Sequence, residues 1–64
     1  MKIIRLNQVI DATGLGRSTI YKYIADGKFP LSLQISERCV GWVESEIQQW
    51  IQTRIEMRDS QKQQ

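Results

Sequence analysis

Apolar residues recur at helical spacing from the start of the 64-residue chain. Val9 and Ile10 follow Asn7, whose side-chain oxygen suits the N-cap position of a helix. This pattern predicts a first short helix over residues 8–13. Gly14 is expected to end it, because glycine adopts the left-handed conformation without steric cost.

A second apolar stripe is formed by Ile20, Tyr21 and Ile24, and it predicts a helix from Arg17 to about Ala25. Gly27 and the following proline are expected to close this helix. Because Tyr21 belongs to the apolar stripe, we expect it in the core. We expect Tyr23, in contrast, to be exposed.

The apolar period changes from helical spacing to two between residues 31 and 42. Leu33 and Ile35 alternate with polar residues, and Val40 and Trp42 form a second short run of the same kind. This alternation predicts a β-hairpin that turns at residues 37 and 38.

A third helix is predicted by Ile47, Trp50, Ile51 and Ile55, which recur on one helical stripe. Glutamates precede this stripe, where they suit the positive end of the helix dipole. The extension of the stripe to Ile55 leaves two interpretations open, a frayed amphipathic end and a dimer contact.

The order helix, tight turn, helix, hairpin, helix predicts a mainly α protein with a small β-hairpin, a winged helix-turn-helix. We expect one domain over residues 1–64, with residues 1–4 and 57–64 frayed. The residues expected in its core are Val9, Ile10, Leu15, Ile20, Tyr21, Ile24, Phe29, Ile35, Val40, Trp42, Ile47, Trp50 and Ile51.

The amino-acid composition excludes several classes of function. The chain has no His and a single Cys, so it cannot build a Cys/His zinc site, and Cys39 is expected to be a small apolar residue. No Gly-rich phosphate loop or paired acids indicate an enzyme, so we expect no catalysis, no cofactor, no metal and no small-molecule substrate. No apolar run is long enough for a membrane helix. The lone thiol favours a cytoplasmic location.

Positive charge is concentrated in the first part of the chain. Residues 1–38 contain six Lys or Arg against three Asp or Glu, whereas residues 39–64 contain three against four. An anionic partner for the first part is therefore expected.

The second helix of a helix-turn-helix commonly enters the DNA major groove, which is wide enough for an α-helix. Hydroxyl, cationic and aromatic side chains on the outer side of the predicted second helix suit contacts to phosphates and base edges. A hairpin after the motif adds a wing that reaches the backbone of the duplex. The expected DNA-binding residues are Arg17, Ser18, Thr19, Lys22 and Tyr23, with Arg38 at the wing tip. We interpret Trp42 and Trp50 as core residues rather than base-stacking ones.

The sequence resembles the AlpA family of prophage regulatory proteins, which is similar to MerR-like and excisionase-like winged helix-turn-helix domains. The resemblance lies in TGLGRSTIYKYIADGKFP, followed by RCVGW and ESEIQQWI. It implies a sequence-specific regulator that binds double-stranded DNA and controls prophage or genomic-island genes. The first alternative is an excisionase that binds and bends attachment-site DNA. The other is a protein-interaction module that docks through the C-terminal helix. The protein partners left open are a second copy of the chain and an integrase.

Three positions depart from the pattern that the resemblance implies. Gly16 stands where the family usually has Ser, so the second helix lacks a side-chain cap. Leu31 and Gln34 stand where the family often has Lys. The wing is therefore expected to be less basic than in the family, with Arg38 as its main phosphate contact.

Overall fold

The computed structural model describes residues 1–61 as three helices and three short strands. In chain order the elements are β1 (Ile3–Ile4), α1 (Leu6–Thr13), α2 (Arg17–Ala25), β2 (Leu33–Ser36), β3 (Cys39–Val43) and α3 (Glu44–Gln61). This order confirms the predicted winged helix-turn-helix, mainly α with β2 and β3 as the hairpin of the wing. One further element, β1, lies in the apolar and basic segment of residues 1–6, for which the sequence left a strand or an extended arm open.

Helix α1 begins earlier than the sequence suggested. Its N-cap is Arg5, and the Arg5 backbone N–H donates to Oε1 of Gln8 at 3.0 Å. A glutamine three residues into a helix satisfies the amide of the capping residue in this way. Asn7 lies inside the first turn, where its Oδ1 accepts the N–H of Gln8 at 3.0 Å. The prediction of Asn7 as the N-cap was therefore wrong.

The turn between α1 and α2 is held by Thr13. Its hydroxyl donates to the carbonyl of Val9 at 2.8 Å and accepts the N–H of Leu15 at 3.2 Å. Gly14 adopts a φ of 74°, as predicted for the residue that closes α1. Leu15 is half-buried and packs against the core, so the turn is joined to the body of the protein.

Helix α2 ends in a Schellman motif. The N–H of Gly27 donates to the carbonyl of Ile24 at 3.0 Å, and the N–H of Lys28 donates to the carbonyl of Tyr23 at 2.8 Å. Gly27 has a φ of 73°, a conformation that costs glycine little. The predicted end of α2 is thus confirmed.

The three strands form an antiparallel sheet in the order β1-β3-β2, with Ile3 opposite Val43 and Ile4 opposite Trp42. Residues 3 and 4, which were expected to fray, are paired with β3 as a short strand. Ile4 is 5% exposed because pairing with β3 directs its side chain into the core.

Helix α3 continues through residues 57–61, which were also expected to fray. Residues 62–64 of that expected end lie outside the described residues. Within residues 1–61, no helix combines the length and apolarity needed to cross a membrane.

The core lies between the helices and one side of the sheet. Its buried residues are Ile4, Val9, Ile20, Phe29, Trp42 and Ile47, surrounded by half-buried Leu6, Ile10, Leu15, Tyr23, Ile24, Trp50 and Ile51. Three predicted core residues, Tyr21, Ile35 and Val40, are instead exposed. Ile35 lies on the side of the sheet away from the helices, and Val40 lies near the hairpin tip.

Two tryptophans fix the segment that joins α2 to the hairpin. Nε1 of Trp50 donates to the carbonyl of Lys28 at 2.8 Å, and Nε1 of Trp42 donates to the carbonyl of Pro30 at 3.1 Å. Between these two anchors, the Phe29 ring packs edge-on against Trp50 with the ring centroids 4.9 Å apart. Both tryptophans contribute to the core, as predicted, and together they set where the hairpin stands relative to α2.

Candidate nucleic-acid interface

The solvent-exposed side of α2 is defined by the residues that it turns away from the core. Ile20 is completely buried and Ile24 is half-buried, so these two mark the inward side. Successive residues are rotated by about 100° around a helix. Ser18, Lys22 and Ala25 lie on the opposite side, whereas Tyr21 lies at its edge and Arg17 is exposed in the first turn of the helix. We call these five exposed residues the outward face of α2.

This face contains Arg17, Ser18 and Lys22, as the sequence predicted. Tyr23 does not belong to it, because its side chain is half-buried against the core. Tyr21 takes that place and is 40% exposed. Thr19 is half-buried on the same flank as Tyr23. The prediction therefore assigned the two tyrosines the wrong way round, with Tyr21 in the core and Tyr23 exposed.

Tyr21 connects the outward face of α2 to the sheet. Its ring lies against that of Trp42 on β3, with the centroids 6.5 Å apart and the planes at 57°. Tilted aromatic pairs at this distance are favourable. The contact holds the exposed tyrosine in a defined place between α2 and the hairpin.

The hairpin turns at Glu37 and Arg38, as predicted, and both residues are exposed. Gln34 pairs with Val40, and the register shifts between Gln34 and Ser36. Such an irregularity bends the strand locally. Nε2 of Gln34 donates to the carbonyl of Glu37 at 3.4 Å, which ties the bent strand to the turn and supports Arg38 at the tip.

Within residues 1–61, the cations of these two regions have no acidic partner. In the part of the chain that the structure describes, the ion pairs are Lys2–Glu44 and Arg58–Asp59. No carboxylate of residues 1–61 therefore lies within 4.0 Å of the charged groups of Arg17, Lys22 or Arg38. Their charge is available to an anion from outside.

Cys39 begins β3 and is a free, half-exposed thiol. A hydrogen bond with the Ser36 side chain and the positive charge of Arg5 lower the pKa of this thiol. Local sequence pattern does not reveal this environment, because the pairing of β1 with β3 is what brings Arg5 close to Cys39.

Comparison with known proteins identifies the family. The family model described as "Prophage CP4-57 regulatory protein (AlpA)" matches residues 2–55. The chain belongs to the AlpA family. The match covers α1, α2, the hairpin and about two thirds of α3, so it includes the outward face of α2 and the hairpin tip.

Two relatives of the AlpA-family chain cover most of its length. One, from Escherichia coli strain K12, is named "DNA-binding transcriptional activator AlpA"; it is 35% identical over 63 residues, which cover 89% of this chain and 90% of the relative. The other is "Uncharacterized protein ORF88" of Enterobacteria phage P4, 37% identical over 54 residues, which cover 84% of this chain and 61% of the relative.

Proposed function

We propose that this AlpA-family protein binds double-stranded DNA in a sequence-specific way and regulates transcription of prophage or genomic-island genes. The observation that carries the proposal is the outward face of α2, which presents two cations, a hydroxyl and a tyrosine, with no carboxylate of residues 1–61 paired to the cations. Support also comes from the relative of similar length that is named a DNA-binding transcriptional activator. A protein that acts on genes in this way works where the DNA is, which fits the expected cytoplasmic location.

In the proposed complex, α2 lies in the major groove and its outward face reads the bases. Arg17, at the first position of the helix, donates two hydrogen bonds to a guanine edge in this proposed complex. Tyr21 and Ala25 offer apolar surface to thymine methyl groups. Ser18 and Lys22 contact base edges or phosphates.

Two of the residues first expected at the interface take smaller roles in this complex. Thr19 lies at the flank of α2, from which its hydroxyl reaches a phosphate rather than a base. Tyr23 supports the helix from the core side and leaves the contact to Tyr21. Arg38 reaches the sugar-phosphate backbone from the hairpin tip.

The salt dependence of binding tests whether DNA is the partner. If the protein neutralises about five phosphates, the slope of log affinity against log salt is expected to be about −4.5. A flat response, or no binding at low salt, would contradict the proposal and favour the protein-interaction module.

Selection and sequencing of bound genomic fragments tests which DNA is recognised. Recovery of promoter fragments is the expected result. Recovery of attachment sites, together with a strong bend in a circular-permutation gel assay, would instead favour the excisionase role.

A matched pair of lysine variants tests the interface itself. Lys22→Ala is expected to reduce the magnitude of the salt slope by about 1 and to leave the thermal midpoint nearly unchanged. Lys2→Ala removes the same charge from a lysine whose Nζ lies 3.8 Å from Glu44, so it is expected to have little effect on binding. Equal loss of affinity in the two variants would mean that general charge, not the outward face of α2, governs binding.

A further inference from the structure

We propose that copies of this protein associate head to tail, with Leu31 of one copy docked in an apolar concavity between α1 and α3 of the next. The proposal concerns surfaces that lie outside the outward face of α2 and the hairpin tip. The proposed association does not depend on DNA binding.

The first surface, which we call the leucine ridge, consists of Leu31 and Leu33. Leu31 is 68% exposed and Leu33 is 39% exposed, although both belong to the apolar run that enters β2. The ridge borders a shallow apolar groove, and Glu46 lies on the α3 side of that groove. Projecting aliphatic side chains beside an acidic group are suited to an apolar partner with basic edges.

The second surface is a concavity of about 330 Å³ between the end of α1 and the middle of α3. Much of its lining is apolar, with contributions from Ala12, Leu15, Ile51 and Ile55. Ile55 is 36% exposed there. The volume is sufficient for the side chain of a leucine, so the concavity offers the apolar site that the leucine ridge lacks within its own chain.

Charge makes the two surfaces complementary. Arg54 and Arg58 line the concavity, whereas Glu46 flanks the leucine ridge. Arg54 stacks over the Trp50 ring at 5.4 Å and has no carboxylate of residues 1–61 within ion-pair distance. Arg58 is paired with Asp59 at 2.9 Å, so Arg54 is the cation available to Glu46 of a neighbouring copy.

The positions of the two surfaces around α3 determine the kind of assembly. At about 100° per residue, Glu46 is on nearly the opposite side of the helix from Ile51 and Ile55. Each copy therefore presents the ridge and the concavity in different directions. A contact between unlike surfaces is heterologous and continues from copy to copy instead of closing as a two-fold dimer.

A second copy is the occupant that the structure favours, because both members of the complementary pair are present on one chain. The contact is small, with few side chains on each side, and interfaces of that size are weak. We therefore expect association in concentrated solution and stronger association where copies are held side by side, since tethering raises the effective concentration.

Sedimentation velocity of the full chain without DNA, from micromolar to millimolar concentration, tests the proposal with two blocked variants. Leu31→Lys removes the ridge and keeps the concavity, whereas Ile55→Lys blocks the concavity and keeps the ridge. Met57→Lys is the matched control, since Met57 is 49% exposed on α3 and lines neither surface. Circular dichroism of each of the three variants is the control for folding.

The expected result is concentration-dependent growth for the wild type and for Met57→Lys, and a loss of that growth in each blocked variant alone. A mixture of Leu31→Lys and Ile55→Lys should form a species of twice the mass of one chain and no larger, because one intact ridge meets one intact concavity. A wild type that remains monomeric throughout would overturn the proposal. So would a blocked variant that still dimerises by itself, which would indicate a two-fold contact or another surface.

Discussion

Substitution of Gly41 by alanine tests the packing on the outer side of the sheet, the side that faces away from the helices. A Cβ at position 41 would lie 2.6 Å from Cγ2 of Ile3, 2.8 Å from Cδ1 of Ile35 and 3.0 Å from the carbonyl oxygen of Ile4. Gly41 has no positive φ, so the backbone itself accepts alanine. The clash with these three atoms therefore decides the outcome.

The magnitude follows from which of these atoms can move. Ile35 is 49% exposed, so its Cδ1 can move at the cost of an off-rotamer side chain, about 0.5–1.5 kcal/mol, whereas Ile3 is half-buried and the Ile4 oxygen belongs to the backbone of β1. Overpacking of this kind typically costs about 1–3 kcal/mol. Loss of glycine flexibility in the unfolded chain returns about 0.4–1 kcal/mol. We expect a net loss of about 1–2 kcal/mol, or roughly 4–16 °C in the thermal midpoint of a domain this small.

The assay is urea and thermal unfolding of Gly41→Ala, Ile35→Val and the double variant. Ile35→Val removes the one atom, Cδ1, that meets the new Cβ on the exposed side. Because that side chain is half in water, the single change should cost less than about 0.5 kcal/mol. In the Gly41→Ala background it should restore about 0.5–1 kcal/mol, measured as the coupling energy of the cycle.

Two results would refute this reasoning. If Gly41→Ala is as stable as the wild type, the outer side of the sheet is not closely packed over Gly41. If it is destabilised but Ile35→Val restores nothing, the cost arises at β1 alone, and Ile35 does not cover the strand.

Three further changes test other parts of the structure. Ile20→Ala should destabilise the protein by about 2–5 kcal/mol, because Ile20 is completely buried; a loss below 1 kcal/mol by urea unfolding would contradict that placement. Gly16→Ser should raise the thermal midpoint by adding the cap that α2 lacks, a gain of a few tenths of a kcal/mol, since no atom lies within 4 Å of the new Cβ; a lower midpoint would show that no cap forms. Alkylation of Cys39 should reach half its maximal rate below the pH of an ordinary thiol, and Ser36→Ala or Arg5→Gln should move that pH upward, because each removes a group that stabilises the thiolate; an unchanged profile would contradict this.

The helical and hairpin elements were predictable because their signals are local. Gly14 and Gly27 sit where helices end, and both adopt the left-handed conformation that favours glycine. The change of apolar period at residue 31 gave the hairpin, and its turn at Glu37 and Arg38 was placed correctly.

The wrong prediction of Tyr21 as buried and Tyr23 as exposed has a geometric cause. Around the helix, the inward direction lies midway between Ile20 and Ile24, and the two tyrosines are about 80° to either side of it. The periodicity is therefore the same for both. What decides between them is the packing of the rest of the chain, which covers the flank of Thr19 and Tyr23 and leaves Tyr21 beside Trp42.

Strand β1 was left open as a strand or an extended arm, and the outer side of the sheet was missed, because both depend on contacts distant in sequence. Two residues, Ile3 and Ile4, have too little pattern to predict a strand, and their pairing partners are about forty positions away. The alternation in β2 was detected, but alternation does not say which side of the sheet the helices cover. Ile35 was therefore assigned to the core although it faces outward.

The two indole hydrogen bonds to the carbonyls of Lys28 and Pro30 have a consequence for the reading of DNA by the proposed complex. They anchor the connection between α2 and the hairpin at two points, which favours a constant separation between α2 and Arg38 in the proposed complex. Duplexes whose groove width already matches this separation bind without deformation. Other duplexes must deform, which weakens their binding. We therefore expect the composition of base pairs that no side chain touches to influence affinity.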